Sequence, residues 1–166
     1  VAVRFDENGR MWVVEMRDYP HGPAKGEQPR SAIKLLEDRD GDGFFEHVQV
    51  FADKLLFVTG VQPWRGGVIV TMAGEVAYMK DTDGDDVADV RQRVLNGLDS
   101  ADTHHAANSF VLDPGGALYF QEGTFHHTQV ETPYGPPVRS ANAAVYRYEP
   151  RTSKFEVYIP YGFANP

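Results

Sequence analysis

Cysteine is absent from the 166 residues, which removes both a disulfide framework and any thiolate-based zinc site. No apolar run approaches bilayer-spanning length, so direct membrane insertion by this segment is not expected, and the first residues carry no signal-peptide pattern. The net charge is −8 and no stripe of Lys and Arg is present, so nothing here is built to meet nucleic-acid phosphates. Helical periodicity is missing as well, apart from a short amphipathic pattern over Asp86–Leu95. What remains is 42% hydrophobic and 12% aromatic, with 16 Gly and 11 Pro, a turn-rich composition that favours many short strands. The length fits one domain. Both ends look cut, since the chain opens inside an apolar strand, "VAVRF", and stops at "YGFANP" with no closing element. A piece of a longer protein is therefore expected.

The charge is unevenly spread. Windows 38–46 and 81–89 hold four and five carboxylates, nine of the 24 in the chain, and neither contains a Lys. The two windows begin 43 residues apart, at Asp38 and Asp81. Other features recur at a similar interval. "DENGRMWVVE", "PWRGGVIVTM" and "DPGGALYFQE" are each a Gly-containing turn followed by a β-rich run, and each precedes a second hairpin-like unit. Four short strands repeating every 40–50 residues are the mark of a β-propeller blade.

The reading is thus all-β, with about three four-stranded blades of a larger, six-bladed ring. The blades span about 1–52, 53–98 and 99–160. Strands are expected at 1–5, 11–16, 32–37 and 46–51, then at 57–62, 67–72, 75–80 and 89–95, and finally at 108–112, 117–121, 143–149 and 154–159. An ordinary antiparallel sandwich is the alternative. In a propeller both acidic windows are turns between the third and fourth strands of a blade, on one rim. The long connections 16–32, 96–107 and 122–142 fall on the other rim, with five of the six histidines: His21, His104, His105, His126 and His127. Only His47 adjoins an acidic window.

As ligands, the first window offers Asp38, Asp40, Asp42 and Glu46 at positions 1, 3, 5 and 9, with the Phe44 carbonyl at position 7. The second offers Asp81, Asp83, Asp85 and Asp89 with the Val87 carbonyl. Hard oxygen donors at alternating positions of a turning chain suit calcium. Position 12 is Gln49 or Gln92, so neither window is an EF-hand, and both resemble the calcium loops set in hairpins of integrin-type propellers. Position 6 is Gly43 in one and Asp86 in the other, which predicts a weaker second site. The third blade has "EPRTSKFE" there and is expected to bind nothing. Without a cation these are simply Asp-Gly turns with solvated charges.

Two His-His pairs among the long connections could serve acid–base chemistry or, as four imidazoles, hold zinc or copper. Adjacent strand residues point to opposite sides, so one His of each pair is expected to face a site.

The segment "DTHHAANSFVLDPGGALYFQEGTFHHT" resembles the pyrroloquinoline-quinone (PQQ)-dependent soluble glucose and sorbosone dehydrogenases, which are six-bladed propellers. Their active-site His precedes the equivalent strand, and counting back nine residues from Pro114 places His105 there. The preceding position, often acidic in that family, is His104. A broader resemblance runs through "MWVVEMRDYPHG", "DRDGDG", "DTDGDD", "TGVQPWRGGV" and "GTFHHTQVETPYGPPVR". It is to the membrane-bound dehydrogenases of planctomycetes and verrucomicrobia, multidomain proteins that often continue into a cytochrome c domain.

The resemblance implies an oxidoreductase of sugars or polyols, periplasmic or extracellular, attached to a membrane only through parts outside this segment, with a cytochrome c as electron acceptor. It makes His105, with His104, the catalytic base. Glu122, His126 and His127 would line the substrate side, and Arg17 and Arg139 would hold the quinone carboxylates. Tyr19, Phe125 and Tyr134 would stack on a sugar ring. In that family the quinone and its active-site calcium are held largely by later blades. The competing reading, from a different class, is a non-catalytic propeller, stiffened by calcium, that binds glycans or a protein partner.

Overall fold

The computed structural model describes residues 2–162 and 164. Fourteen strands and no helix are found among the described residues, and no helix is long and apolar enough to cross a membrane. Three four-stranded antiparallel sheets follow one another along the chain in a blade arrangement. The first contains β1 (Val3–Phe5), β2 (Met11–Glu15), β3 (Ser31–Glu37) and β4 (His47–Leu55) in that order. The second contains β5 (Gly60–Trp64), β6 (Gly67–Met72), β7 (Glu75–Lys80) and β8 (Val90–Asn96), again in order. The third is built from β9 (Asn108–Leu112), β10 (Leu118–Glu122), β13 (Ala144–Glu149) and β14 (Lys154–Ile159). Between β10 and β13 lies a separate hairpin of β11 (Gln129–Thr132) and β12 (Gly135–Arg139).

The expected all-β blade pattern is thus the observed one, with three local corrections. The connection 122–142 is not loop throughout, since it contains the β11–β12 hairpin. Pro136 and Pro137 disguise β12, and a strand in a two-stranded ribbon tolerates them because its outer N–H side needs no partner. The amphipathic pattern at Asp86–Leu95 is the end of an acidic turn followed by β8. The expected strand 57–62 begins at Gly60, because β4 runs on to Leu55 and the chain then turns with positive φ at Lys54 and Phe57. Val1, the start of the expected first strand, and Phe163, Asn165 and Pro166 of the closing "YGFANP" lie outside the described residues.

The described chain divides into two compact units, 1–72 with 77–92, and 73–76 with 93–166, the division passing through β7 and β8. In the first unit β6 is buried along its whole length, while β2 alternates, sending Trp12 and Val14 into the core. There they meet Ile33, Leu35, Phe51, Val68 and Val70, with Trp12 edge-on to Phe51 at 4.7 Å. In the second unit β10 and β13 alternate. Their inward residues Phe120 and Tyr146 pack with Phe110 and Phe155.

Turn chemistry repeats between blades. In "DENGR" the Asp6 N–H reaches the Arg10 carbonyl at 3.0 Å and the Asp6 carboxylate accepts the Arg10 N–H. In "DPGGA" Asp113 and Ala117 make the same two bonds. A carboxylate that caps its own turn stops the strands from slipping in register.

Candidate functional site

Both acidic windows lie in the first unit, as the β3–β4 and β7–β8 turns. They fold alike, position for position. Asp38 accepts the N–H groups of Gly41 and Gly43 at 2.7 and 2.8 Å, and Asp81 accepts those of Gly84 and Asp86 at the same distances. Glu46 accepts the Arg39 N–H, and Asp89 accepts the Thr82 N–H. Asp42 takes the Phe44 N–H, as Asp85 takes that of Val87. Position 6 explains why Asp86 can stand where Gly43 does. Both are left-handed, at φ of +62° and +91°, a conformation Asp adopts at modest cost.

The two turns gather their carboxylates differently. Asp38, Asp40 and Asp42 bring oxygens within 4.8 Å of one another in the first, and Asp81, Asp83 and Asp89 do so in the second. Glu46 and Asp85 stay outside these triads, each held by a backbone N–H. Phe44 projects outward, 70% exposed. Repulsion from Asp85, then burial and the charge on Asp81, raises the pKa of Asp83, whereas Asp38 and Asp81 are lowered, chiefly by the N–H groups of Gly43 and Gly84. Each turn thus presents hard oxygens with one carboxylate fixed by amides, and in the second turn Asp83 is also repelled by Asp85 and Asp81, which a divalent cation would relieve. In the third blade Arg151 pairs with Glu149 at 3.1 Å across the corresponding turn.

Four of the five loop histidines lie in the second unit. His104 and His105 are in the β8–β9 connection, and His126 and His127 follow β10. His21 stays in the first unit, exposed in the β2–β3 loop. Among the described residues the imidazoles do not form a metal-holding group, so the zinc or copper arrangement is not the one observed.

His105 and Asp102 do come together. The His105 Nδ1 lies 2.9 Å from Asp102 Oδ2, with the ring 13% exposed. The other Asp102 oxygen accepts the His104 N–H at 2.8 Å, and the bond to His105 leads the effects that lower the carboxylate's pKa. Asp102 therefore stays charged, and of the two neutral tautomers of His105 it favours the one with the proton on Nδ1 and the lone pair on Nε2. No hydrogen bond engages that Nε2 among the described residues. Phe125 and His104 stand edge-on to the ring at 5.5 and 5.0 Å.

Glu122 and His126 do not line a substrate-facing surface, because both are buried, at 0% and 1% exposure. Glu122 Oε2 accepts the Thr128 hydroxyl at 2.6 Å and the Tyr146 hydroxyl at 2.5 Å. Burial and the Glu122 charge push the Tyr146 pKa far up, so that hydroxyl remains a donor. His127 is exposed beside Gln129, Arg139 and Ser140 in an open groove.

The two arginines differ. Arg17, in the first unit, is ion-paired with Glu15, a carboxylate it shares with Lys34. Arg139, in the second, donates only to the neutral Gln129 at 2.9 Å and has no carboxylate partner among the described residues. Tyr19, Phe125 and Tyr134 are exposed, at 46%, 66% and 84%.

Three acids escaped the sequence reading. Asp102 orients His105. Asp99 holds the His127 N–H at 2.6 Å. Asp18, with its side chain fully buried, accepts the N–H groups of Arg30 and Ser31 and the Ser31 hydroxyl, closing the β2–β3 loop. Burial opposes ionisation of Asp18, but these donors outweigh it and lower its pKa. The one signal available was spacing, since an Asp three residues before a His in a polar turn can reach it.

The family described as a domain of unknown function, DUF7133, matches residues 1–162, and the chain belongs to it. No curated protein matches the chain.

Proposed function

We propose that this chain is the base-bearing part of a quinone-dependent oxidoreductase of sugars or polyols, working in the periplasm or outside the cell. The observation that carries the reading is the Asp102–His105 pair at 2.9 Å, with a bare imidazole Nε2 beside an exposed aromatic ring. In that role Nε2 takes the proton of a substrate hydroxyl, Asp102 stabilises the imidazolium that forms, and Phe125 offers a face for the sugar ring. Pyrroloquinoline quinone, when bound, supplies the hydride acceptor. Arg139, without a carboxylate partner among the described residues, has the charge to hold one of the quinone's carboxylates, and Arg17, which shares Glu15 with Lys34, is the notional second holder. A cytochrome c is the fitting electron acceptor.

The test is dye reduction by the full-length protein with added quinone and calcium across a panel of sugars and polyols. Turnover that requires the quinone supports the reading. No turnover together with no quinone binding overturns it. The exposure of Phe125 and Tyr134 favours a second reading, a non-catalytic domain that binds glycans or a protein partner, and glycan binding without turnover would select it.

Calcium bracing of the β3–β4 and β7–β8 turns belongs to the same proposal. Asp38, Asp40 and Asp42 would hold one ion, and Asp81, Asp83 and Asp89 the other. A ligand that binds only the folded form at a hundredfold over its Kd stabilises by about 2.7 kcal/mol. Calcium is therefore expected to raise the melting temperature of the protein, and Asp40→Ala with Asp83→Ala to abolish the rise. Melting indifferent to both EDTA and calcium would reduce the loops to plain turns.

A further inference from the structure

We infer that Glu122 and His126 form a buried clamp, sharing one proton, that positions the Asp102–His105 pair; this rests on the reading of His105 as the base. Their burial at 0% and 1% keeps both from substrate, so any role must pass through what they hold.

His126 Nε2 lies 2.9 Å from the Asp102 carbonyl oxygen. A carbonyl only accepts, so this nitrogen carries a hydrogen in every state. His126 Nδ1 faces Glu122 Oε1 at 3.5 Å, and these two atoms are buried without a hydrogen-bond partner. Two unpartnered acceptors buried face to face are unfavourable. One proton between them satisfies both, whether it sits on the imidazole as an ion pair or on the carboxyl as a neutral pair. The carboxylates of Asp99 and Asp102 add negative charge from the β8–β9 connection, while Tyr146 on β13 and Thr128 before β11 donate to the far oxygen of Glu122. Burial alone would push the His126 pKa down from its ordinary 6.5, but Glu122, the Asp102 carbonyl and Asp99 outweigh it and raise it.

The clamp is one of several ties between the β8–β9 connection, which carries the base, and the chain after β10, among them the bond from the Gln129 N–H to the Gly97 carbonyl at 2.9 Å. Others run from the His127 N–H to Asp99 at 2.6 Å, from the Asp99 N–H to Thr128 at 2.8 Å, and from the Gly123 N–H to the His105 carbonyl at 2.9 Å. Losing the shared proton drives Glu122 and His126 apart and loosens the turn that presents Asp102 to His105. Because the folded pKa of His126 is raised, this support is complete below about pH 6.5 and is lost as pH rises through the folded value.

The test is hydrogen exchange with mass spectrometry on the full-length protein, following peptides over 99–107 from about pH 6 to 9 and correcting for the intrinsic exchange rate. Wild-type protection there is expected to fall by about tenfold or more as His126 loses its proton. Glu122→Gln should keep the protection and remove its pH dependence, because the amide can donate to a neutral Nδ1. His126→Gln, which retains a donor for the Asp102 carbonyl, should hold the segment better than His126→Ala at every pH. Flat wild-type protection, or a pH step that survives Glu122→Gln, overturns the clamp. Should His126→Ala fail to fold, the two Gln variants decide. Dye reduction on the same samples separates the two claims. A pH step without turnover sinks the dehydrogenase and leaves the clamp, and turnover with flat protection does the reverse.

Discussion

His105→Ala is expected to lower dye reduction by the full-length protein about 10²–10⁴-fold, the usual worth of a positioned general base. At about 1.4 kcal/mol per decade this is roughly 3–5 kcal/mol of transition-state stabilisation. The loss should fall on kcat more than on KM, because Nε2 acts on a proton in flight and contributes little to holding the sugar. Asp102→Asn should cost most of the same factor while leaving the ring in place. The carboxylate now favours the tautomer with the proton on His105 Nδ1, across 2.9 Å. An amide that turns its NH2 toward Nδ1 would instead fix the proton on Nε2, where no base remains. His104→Ala is the control, since His104 is exposed and the bond it gives Asp102 comes from its backbone N–H, which the substitution keeps. Steady-state rates of the three variants decide the matter. Should His105→Ala stay within tenfold of wild type, the base is another group.

The blades were legible because each rests on short-range rules. Alternation in "MWVVE" and "LYFQE" and capped turns such as "DENGR" and "DPGGA" fix strands within a few residues of where they are found. The β11–β12 hairpin was hidden by its prolines, which local rules count against a strand. Within the acidic turns the alternating carboxylates were readable. The exclusion of Glu46 and Asp85 was not, because their counterparts Asp89 and Asp42 capture the equivalent backbone N–H groups and still join the triads, so small differences in how each turn closes decide it. Glu122 is instructive, because it stood one residue past the expected strand 117–121, and extending the period-2 rule by that residue puts it on the face of Leu118 and Phe120, inside the core. Its place beside a His pair favoured a substrate role, and that functional inference stood where the structural one belonged. Asp102 could not be singled out from sequence, because its partner depends on how the polar turn closes.

Gly97→Ala is expected to destabilise the second unit by about 3 kcal/mol, combining backbone strain of about 1–3 with the loss of a backbone hydrogen bond at about 0.5–1.5. Two features make the position intolerant. Its φ is +104°, which L side chains rarely adopt, and an added Cβ would fall 2.0 Å from the Gln129 carbonyl oxygen. That atom is backbone at the start of β11 and cannot rotate away. To make room, the strand must retreat, which breaks the 2.9 Å bond from the Gln129 N–H to the Gly97 carbonyl. Thr128 adjoins Gln129 and holds the Asp99 N–H, so the retreat would also pull on the segment carrying Asp102 and His105. Gly116→Ala separates strain from collision, since Gly116 also has a positive φ, +87°, but open space where its Cβ would go. It should cost only about 1–2 kcal/mol. Thermal melts of the two variants against wild type provide the measurement. A Gly97→Ala shift about twice that of Gly116→Ala is expected from these costs. Equal shifts would mean that β11 yields freely and that the hairpin does not anchor the segment bearing the base.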